Sequence, residues 1–391
     1  MIKHISNGVN KTPTILVIFG ATGDLARRKI VPALWHLFQE GKLPPPFSII
    51  GFSRRDLDVA AFRRHIADAL GNYHKKKSVQ SDKNFLEMFS FVRGFFDTGE
   101  AYDALKREIE KKERAAGCRI NKLFYLAVTP EMYAIVLTNL AESGLARSNN
   151  RGDAGMWSHG NGSPAFDIGQ HRQRDAGWTR IIVEKPFGKD ADTAQALDEL
   201  LGTLFREEQI YRIDHYLAKE MIQNILAFRF SNNLFENNWN SDAIERIDIR
   251  LWENIGVEDR GSFYDGVGAL RDVGQNHLLQ MLALITMDRP ESFDAAALRR
   301  CRADILRTLV IPSEQEIIRT SVRAQYDGYR AIRGVAADSQ TETYFKVHAA
   351  LVAPRWQGVA ITLESGKRLG EQKKEIVITF RHPLPCMCPP D

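Results

Sequence analysis

Residues 14–29 read TILVIFGATGDLARRK. Thr14–Gly20 is a short buried-strand pattern of apolar and β-branched residues that ends at Gly20. A helical pattern follows, from Asp24 to about Glu40. A brief apolar run bounded by turn residues reads as a strand buried on both faces. The small residues between strand and helix let a backbone approach a pyrophosphate closely, while the helix N-terminus offers unpaired N–H groups and positive potential. Gly20, Ala21, Thr22, Gly23, Asp24 and Leu25 are therefore candidate cofactor-binding residues. The spacing is G-x-x-G rather than G-x-G-x-x-G. A plain strand–helix turn with Asp24 as its cap is the alternative that this stretch leaves open.

The same rhythm continues outward. Phe47–Ser53, 123–128 and 180–184 are further apolar strands, with helical patterns over 56–70, 101–115 and 131–142. Apolar strands alternating with amphipathic helices imply a parallel sheet covered on both faces. Residues 143–178 interrupt it. They are rich in Gly, Ser, Asn, Asp and Arg, have no period, and read as a mobile surface insertion, with an active-site lid as the other reading. Beyond residue 220 the pattern becomes apolar–polar alternation at 244–253, 341–353, 357–364 and 373–380, with a helix over about 265–287. That is an antiparallel sheet with helices packed on it. The expected architecture is an α/β, doubly wound parallel-sheet domain over 1–212, then an α+β domain with a large, mainly antiparallel sheet over 213–391, with a cleft between them.

Composition narrows the function class. The chain has 391 residues, 53 basic and 49 acidic, and a formal charge of +4. This is mild: no nucleic-acid partner is implied, and an anionic small molecule is compatible. No run of about 18 apolar residues indicates a membrane span, and the N-terminus lacks a signal-peptide pattern. Cys118 and Cys301 stand alone, and the Cys386–Cys388 pair has no second ligand pair nearby. Reduced thiols, no metal and a cytoplasmic location are expected.

The second strand ends in GFSRRD, where a dinucleotide fold that prefers NAD carries an acidic residue for the ribose hydroxyl. Arg54 and Arg55 suit a 2′-phosphate instead, so NADP is expected, with solvated arginines as the alternative. Residues 211–220, YRIDHYLAKE, crowd polar groups together. If a helix starts at 214, His215 and Lys219 share one face with Tyr216 beside them, a phosphate clamp. Asp214 then points elsewhere, toward His277 in QNHLLQ. Paired in this way, His277 is a general base whose imidazolium a carboxylate stabilises. A solvated capping aspartate and a core histidine are the alternatives for the two residues taken singly.

Together GATGDLA, IIVEKPFGKD (181–190), RIDHYLAKE and RDVGQNHLLQ (271–280) resemble the glucose-6-phosphate dehydrogenase family, in order and spacing. LFREEQIYRIDHYLAKEMIQN, VEDRGSFYDGVGALRDVGQNHLLQML and RWQGVAITLESGKRL extend the resemblance over about 14–388. It implies a Rossmann cofactor domain and oxidation of glucose 6-phosphate at C1, with NADP as hydride acceptor. The product is 6-phosphogluconolactone, in the first oxidative step of the pentose phosphate pathway. It further implies that His277 and Asp214 act in catalysis. His215, Tyr216 and Lys219 hold the phosphate, and Lys185, which precedes a proline whose bond can be cis, reaches sugar and cofactor. Glu253, Asp272 and Lys367 match substrate contacts; Arg54 and Tyr133 match cofactor contacts. Dimers or tetramers are the family's assemblies.

Three departures accompany this. Ala218 stands where the family has glycine, and 143–178 is longer than the family needs. The family continues about a hundred residues beyond the end of this chain, which leads one to expect an open sheet edge, weakened turnover and a doubtful dimer interface. An inactive NADP-binding fragment and another NADP-linked sugar oxidoreductase are the rival readings.

Overall fold

The computed structural model describes residues 12–73, 83–146, 177–188, 190–214, 220–231 and 233–382. The chain divides into two compact units, 1–213 and 214–391.

In the first unit six strands form one sheet. They are β1 (Thr14–Phe19), β2 (Phe47–Ser53), β3 (Phe89–Arg93), β4 (Asn121–Leu126), β5 (Thr179–Glu184) and β6 (Ile210–Ile213). Their spatial order is β3-β2-β1-β4-β5-β6, and every pairing is parallel. The strand β1 is apolar throughout because both of its faces are covered. Leu16 and Ile18 pack with Trp35, Phe62, Ile66 and Leu70 on one side. Ile15, Val17 and Phe19 pack with Tyr102, Leu105, Ile109, Val136 and Leu137 on the other. Each such side chain contributes roughly 1.5–3 kcal/mol on burial. The strand order reverses direction at β1, between β2 and β4, and in sheets of this kind ligands bind beyond the strand C-termini at that point.

The second unit holds β7 (Ile244–Trp252), β8 (Ser321–Ala324), β9 (Tyr344–Ala349), β10 (Ala360–Gly366) and β11 (Lys373–Phe380), in the order β11-β7-β10-β9-β8. The sheet is antiparallel as expected except at its centre, where β7 and β10 run parallel. On β7 the core face carries Ile247, Ile249 and Leu251. The opposite face carries Arg250, which is ion-paired to Glu375 at 2.8 Å and lies 3.8 Å from Asp248. The long helix that covers the core face is shorter than the pattern over 265–287 suggests. A four-residue helix, Gly261–Tyr264, comes first. Gly268 then turns with φ 78°, and the main helix runs through Leu270–Leu278 and Leu279–Thr286. Its Leu278, Met281, Leu282 and Ile285 join the core. Asp214 follows β6 outside strand and helix, residues 215–219, where the helical start is expected, lie outside the described residues, and a helix is described from Glu220. Among the described residues no helix is long and apolar enough to cross a membrane.

Candidate active site

In the first unit the turn after β1 is built for close backbone approach. Gly20 has φ 80°, and a Cβ there would meet the Ala127 carbonyl oxygen at 2.4 Å, so only glycine fits. Its N–H bonds to Phe52 O at 2.9 Å, and Gly23 N–H bonds to Gly20 O at 2.8 Å. Thr22 and Ser53 are both buried, with their hydroxyls 2.9 Å apart, which joins the turn to the end of β2. Ala21 is buried and Leu25 is partly exposed. Asp24 is not a cap: its carboxylate lies on the first helical turn and pairs with Arg28 at 2.7 Å. The helix continues through a wide π-type turn, Ala26–Ile30, into Val31–Gln39. Arg54 and Arg55 leave the end of β2 with exposed side chains. These residues fit a dinucleotide phosphate chain: a glycine cradle, a helix start and two cations.

At the end of β5, Lys185 precedes Pro186 through a cis bond. The preceding Glu184 is held twice. Tyr133 donates its hydroxyl to the Glu184 carbonyl at 2.8 Å, and Tyr125 donates to the Glu184 carboxylate. Burial first, then the Glu184 charge, holds the Tyr133 phenol well above its ordinary pKa, so it remains a donor. The Tyr133 ring is itself buried. The side chain thus fixes the strand end that carries Lys185.

In the second unit the parallel pair decides the geometry. Gly366 pairs with Trp252 at the C-terminal ends of β10 and β7. The next residue on each strand, Lys367 and Glu253, must therefore emerge side by side. Lys367 Nζ is in direct ion-pair contact with the Glu253 carboxylate. An antiparallel neighbour would have sent one of the two to the opposite edge. Lys367 is buried and the Glu253 side chain is 40% exposed, so the pair opens toward solvent on its acidic side. Two further bonds fix the two chain segments: Leu369 N–H to Glu253 O at 3.0 Å, and Lys367 N–H to Thr343 O at 2.9 Å.

The helix beside them carries Asp272 and His277 in its π-wound stretch, Leu270–Leu278. In an α-helix, residues five apart lie about 140° apart around the axis. The wider i→i+5 winding brings them toward one side, a distortion frequent at functional sites. The Asn276 side-chain amide donates to the Arg271 carbonyl at 2.9 Å, within that loosened turn. Gly274 faces Phe345 of β9, and a Cβ there would meet its ring at 2.7 Å. The helix therefore lies tight against the sheet. His277 is buried, and its Nδ1 lies 3.0 Å from Asp214 Oδ1. Arg302, from the helix Ala295–Leu306, donates to Gln280 at 2.8 Å. Burial and then Arg299 lower its pKa while Asp214 raises it, so Arg302 lies within electrostatic reach of Asp214.

The structure thus brings together Asp214 with His277, and Glu253 with Lys367, and it places Asp272 on the helix of His277. His215, Tyr216 and Lys219 lie outside the described residues, as do 147–176 of the long insertion and Cys386 and Cys388. Arg302 does not stand out in the sequence. It lies outside every quoted motif, on the separate helix Ala295–Leu306, and only the fold brings it within reach of Asp214.

Comparison with known proteins bears on this arrangement. Residues 17–224 match the family description "Glucose-6-phosphate dehydrogenase, NAD binding domain", and residues 226–389 match "Glucose-6-phosphate dehydrogenase, C-terminal domain". The chain belongs to the glucose-6-phosphate dehydrogenase family. It is 39% identical over 378 residues to glucose-6-phosphate 1-dehydrogenase 2 of Mycobacterium tuberculosis, covering 94% of this chain and 69% of that one. It is 37% identical over 396 residues to the Chlamydia pneumoniae enzyme, covering 97% and 72%. A solved glucose-6-phosphate dehydrogenase, in complex with its substrate glucose 6-phosphate, superposes with a TM-score of 0.79 at 35% identity, covering 95% of this chain and 72% of that one. The Mycobacterium avium structure gives the same TM-score at 32% identity, over 95% and 73%.

Proposed function

We propose that the chain oxidises glucose 6-phosphate at C1 to 6-phosphoglucono-1,5-lactone, with His277 as general base and NADP as the cofactor. The observation that carries the base assignment is the 3.0 Å approach of a buried imidazole to a carboxylate within one unit. His277 takes the C1 hydroxyl proton on its ring, and Asp214 stabilises the imidazolium that results and orients the ring. When bound, NADP supplies the acceptor for the C1 hydride. Gly20, Ala21, Thr22, Gly23 and Leu25 cradle its phosphates by their backbone, Asp24 anchors the helix start through Arg28, and Arg54 takes the 2′-phosphate. Lys185 contacts sugar and cofactor, on a strand end that Tyr133 fixes. Glu253, Asp272 and Lys367 bind the sugar, and His215, Tyr216 and Lys219 bind its phosphate.

The test is His277→Asn. Turnover should fall by roughly 10²–10⁴, the usual worth of general acid–base catalysis. The thermal midpoint and the affinity for glucose 6-phosphate should stay near those of the unaltered chain. Near-normal turnover in the variant would remove His277 from the base role.

A further inference from the structure

The helix that carries Asp272 and His277 starts at Leu270, and the residue before it, Ala269, offers no side chain that could cap it. The first N–H groups of a helix have no partner within the helix and take one from elsewhere. Here the partner lies 72 residues further along the chain. The Leu270 N–H donates to the Glu342 carboxylate at 3.0 Å, and the Ala269 N–H donates to the Glu342 carbonyl at 2.9 Å. A carboxylate at this end of a helix is also favoured by the helix dipole. Gly268 leaves room for it: a Cβ there would meet Glu342 Oε1 at 2.5 Å.

The residues on either side of Glu342 are fixed to other parts of the same unit. The Thr341 hydroxyl donates to the Asp265 carbonyl. Thr343 is fully buried. Its N–H donates to the Ala324 carbonyl at 2.9 Å, and its hydroxyl accepts from the Tyr326 N–H at 2.9 Å. The Thr343 carbonyl accepts the Lys367 N–H at 2.9 Å, and Tyr344 pairs with Gly366 across β9 and β10. Two successive residues thus hold two parts of the sugar site. Glu342 holds the first helical turn, which carries Asp272. Thr343 holds Lys367, which contacts Glu253.

We propose that Glu342 is a positioning residue of the sugar site: it caps the helix of Asp272 and His277 from outside, and so fixes Asp272 in register with Glu253 and Lys367. This rests on the reading of those three residues as substrate contacts. A carboxylate that only stabilised the helix would change how much protein is folded, not how the folded protein binds sugar. His277 lies in the last turn of the same stretch, beyond Gly274, which packs against Phe345. It is therefore held without the cap, and Asp272 is not.

That difference gives the test. Glu342→Ala should lower the thermal midpoint by about 2–4 °C, as the loss of a helix cap does. In the folded variant, KM for glucose 6-phosphate should rise about tenfold, the worth of one displaced charged hydrogen bond. Turnover at saturation should fall far less, and affinity for NADP should not move. Hydrogen exchange, followed by mass spectrometry, should quicken over 270–273 and stay unchanged over 279–286. Glu342→Gln keeps the reach and an acceptor oxygen, and should bring KM back to within about twofold of the unaltered chain. Glu342→Asp keeps the charge but is one methylene short of the Leu270 N–H. It should raise KM in the same direction, and it supplies the reading if Glu342→Ala does not fold. An unchanged KM in the Ala or Asp variant, a Gln variant as impaired as the Ala variant, or exchange that quickens along the whole helix would make Glu342 a structural cap only and overturn the proposal, while the functional reading stands. If the unaltered chain does not turn over glucose 6-phosphate at all, the functional reading fails first and the role of Glu342 falls with it.

Discussion

Arg54 follows directly on Ser53, whose hydroxyl is committed to Thr22 and to the Arg55 N–H at 3.2 Å. The end of β2 is thus fixed from inside, and the guanidinium beyond it is exposed. A fixed stem with an exposed fork suits a dianionic phosphate, and no carboxylate stands at that strand end to accept a ribose hydroxyl. Arg55 beside it adds charge, but its neighbour Asp56 already pairs with Arg93 at 3.0 Å, so the local balance stays positive. Arg54→Ala should weaken NADP binding by about 1.5–3 kcal/mol, the range for a hydrogen bond to a charged group, and leave NAD binding nearly unchanged. Fluorescence titration of both cofactors checks it. Equal losses would mean that Arg54 does not read the 2′-phosphate.

The elements differ in how legible they are. β1 and β2 show in the sequence because burial on both faces demands continuous apolar runs. β11 shows because one face is wet. β3 (FSFVR) and β6 (IYRI) do not, since four or five residues with arginine at or near an end resemble loop or helix margin equally well. The parallel pairing of β7 with β10 is also invisible: alternation reports which face is buried, not which neighbour lies alongside. That hidden pairing is what sets Glu253 beside Lys367, so motif resemblance can name the two residues but not explain their contact. The π-wound stretch Leu270–Leu278 is hidden in the same way, because its composition suits an α-helix. Its position depends on Gly274. Alanine there would gain up to about 1 kcal/mol of helix propensity. Against this, its methyl would press on Phe345 at 2.7 Å and Leu270 at 2.9 Å. Phe345 is 2% exposed and cannot swing away, so overpacking, typically 1–3 kcal/mol, outweighs the gain. Gly274→Ala should lower stability by about 1–2 kcal/mol. Turnover should fall at least tenfold, since a shift of about 1 Å at a reacting group costs up to roughly 10². Urea titration and steady-state kinetics measure the two effects. A variant as stable and as active as the parent would show that the helix has room to move.

At the scale of the whole chain, the separation of the cores matters most. Buried apolar residues from Ile15 to Ile210 form two clusters, one on each face of the parallel sheet. Those from Phe230 to Leu363 form one cluster on the mixed sheet. Each unit thus has the means to melt by itself, with its own ligand acting on its own transition. A ligand that binds only folded protein, present at a hundredfold excess over its dissociation constant, adds about 2.7 kcal/mol. For units of roughly 200 residues this moves a midpoint by roughly 5–10 °C. In differential scanning calorimetry, NADP should shift the transition of the unit that carries Gly20 and Arg54. Glucose 6-phosphate should shift that of the unit that carries Glu253, Lys367 and His277. Arg54→Ala should cut the first shift by about half or more and leave the second unchanged. The assignment of cofactor and substrate to separate units would fail if a single transition responded equally to both ligands, or if Arg54→Ala diminished both shifts.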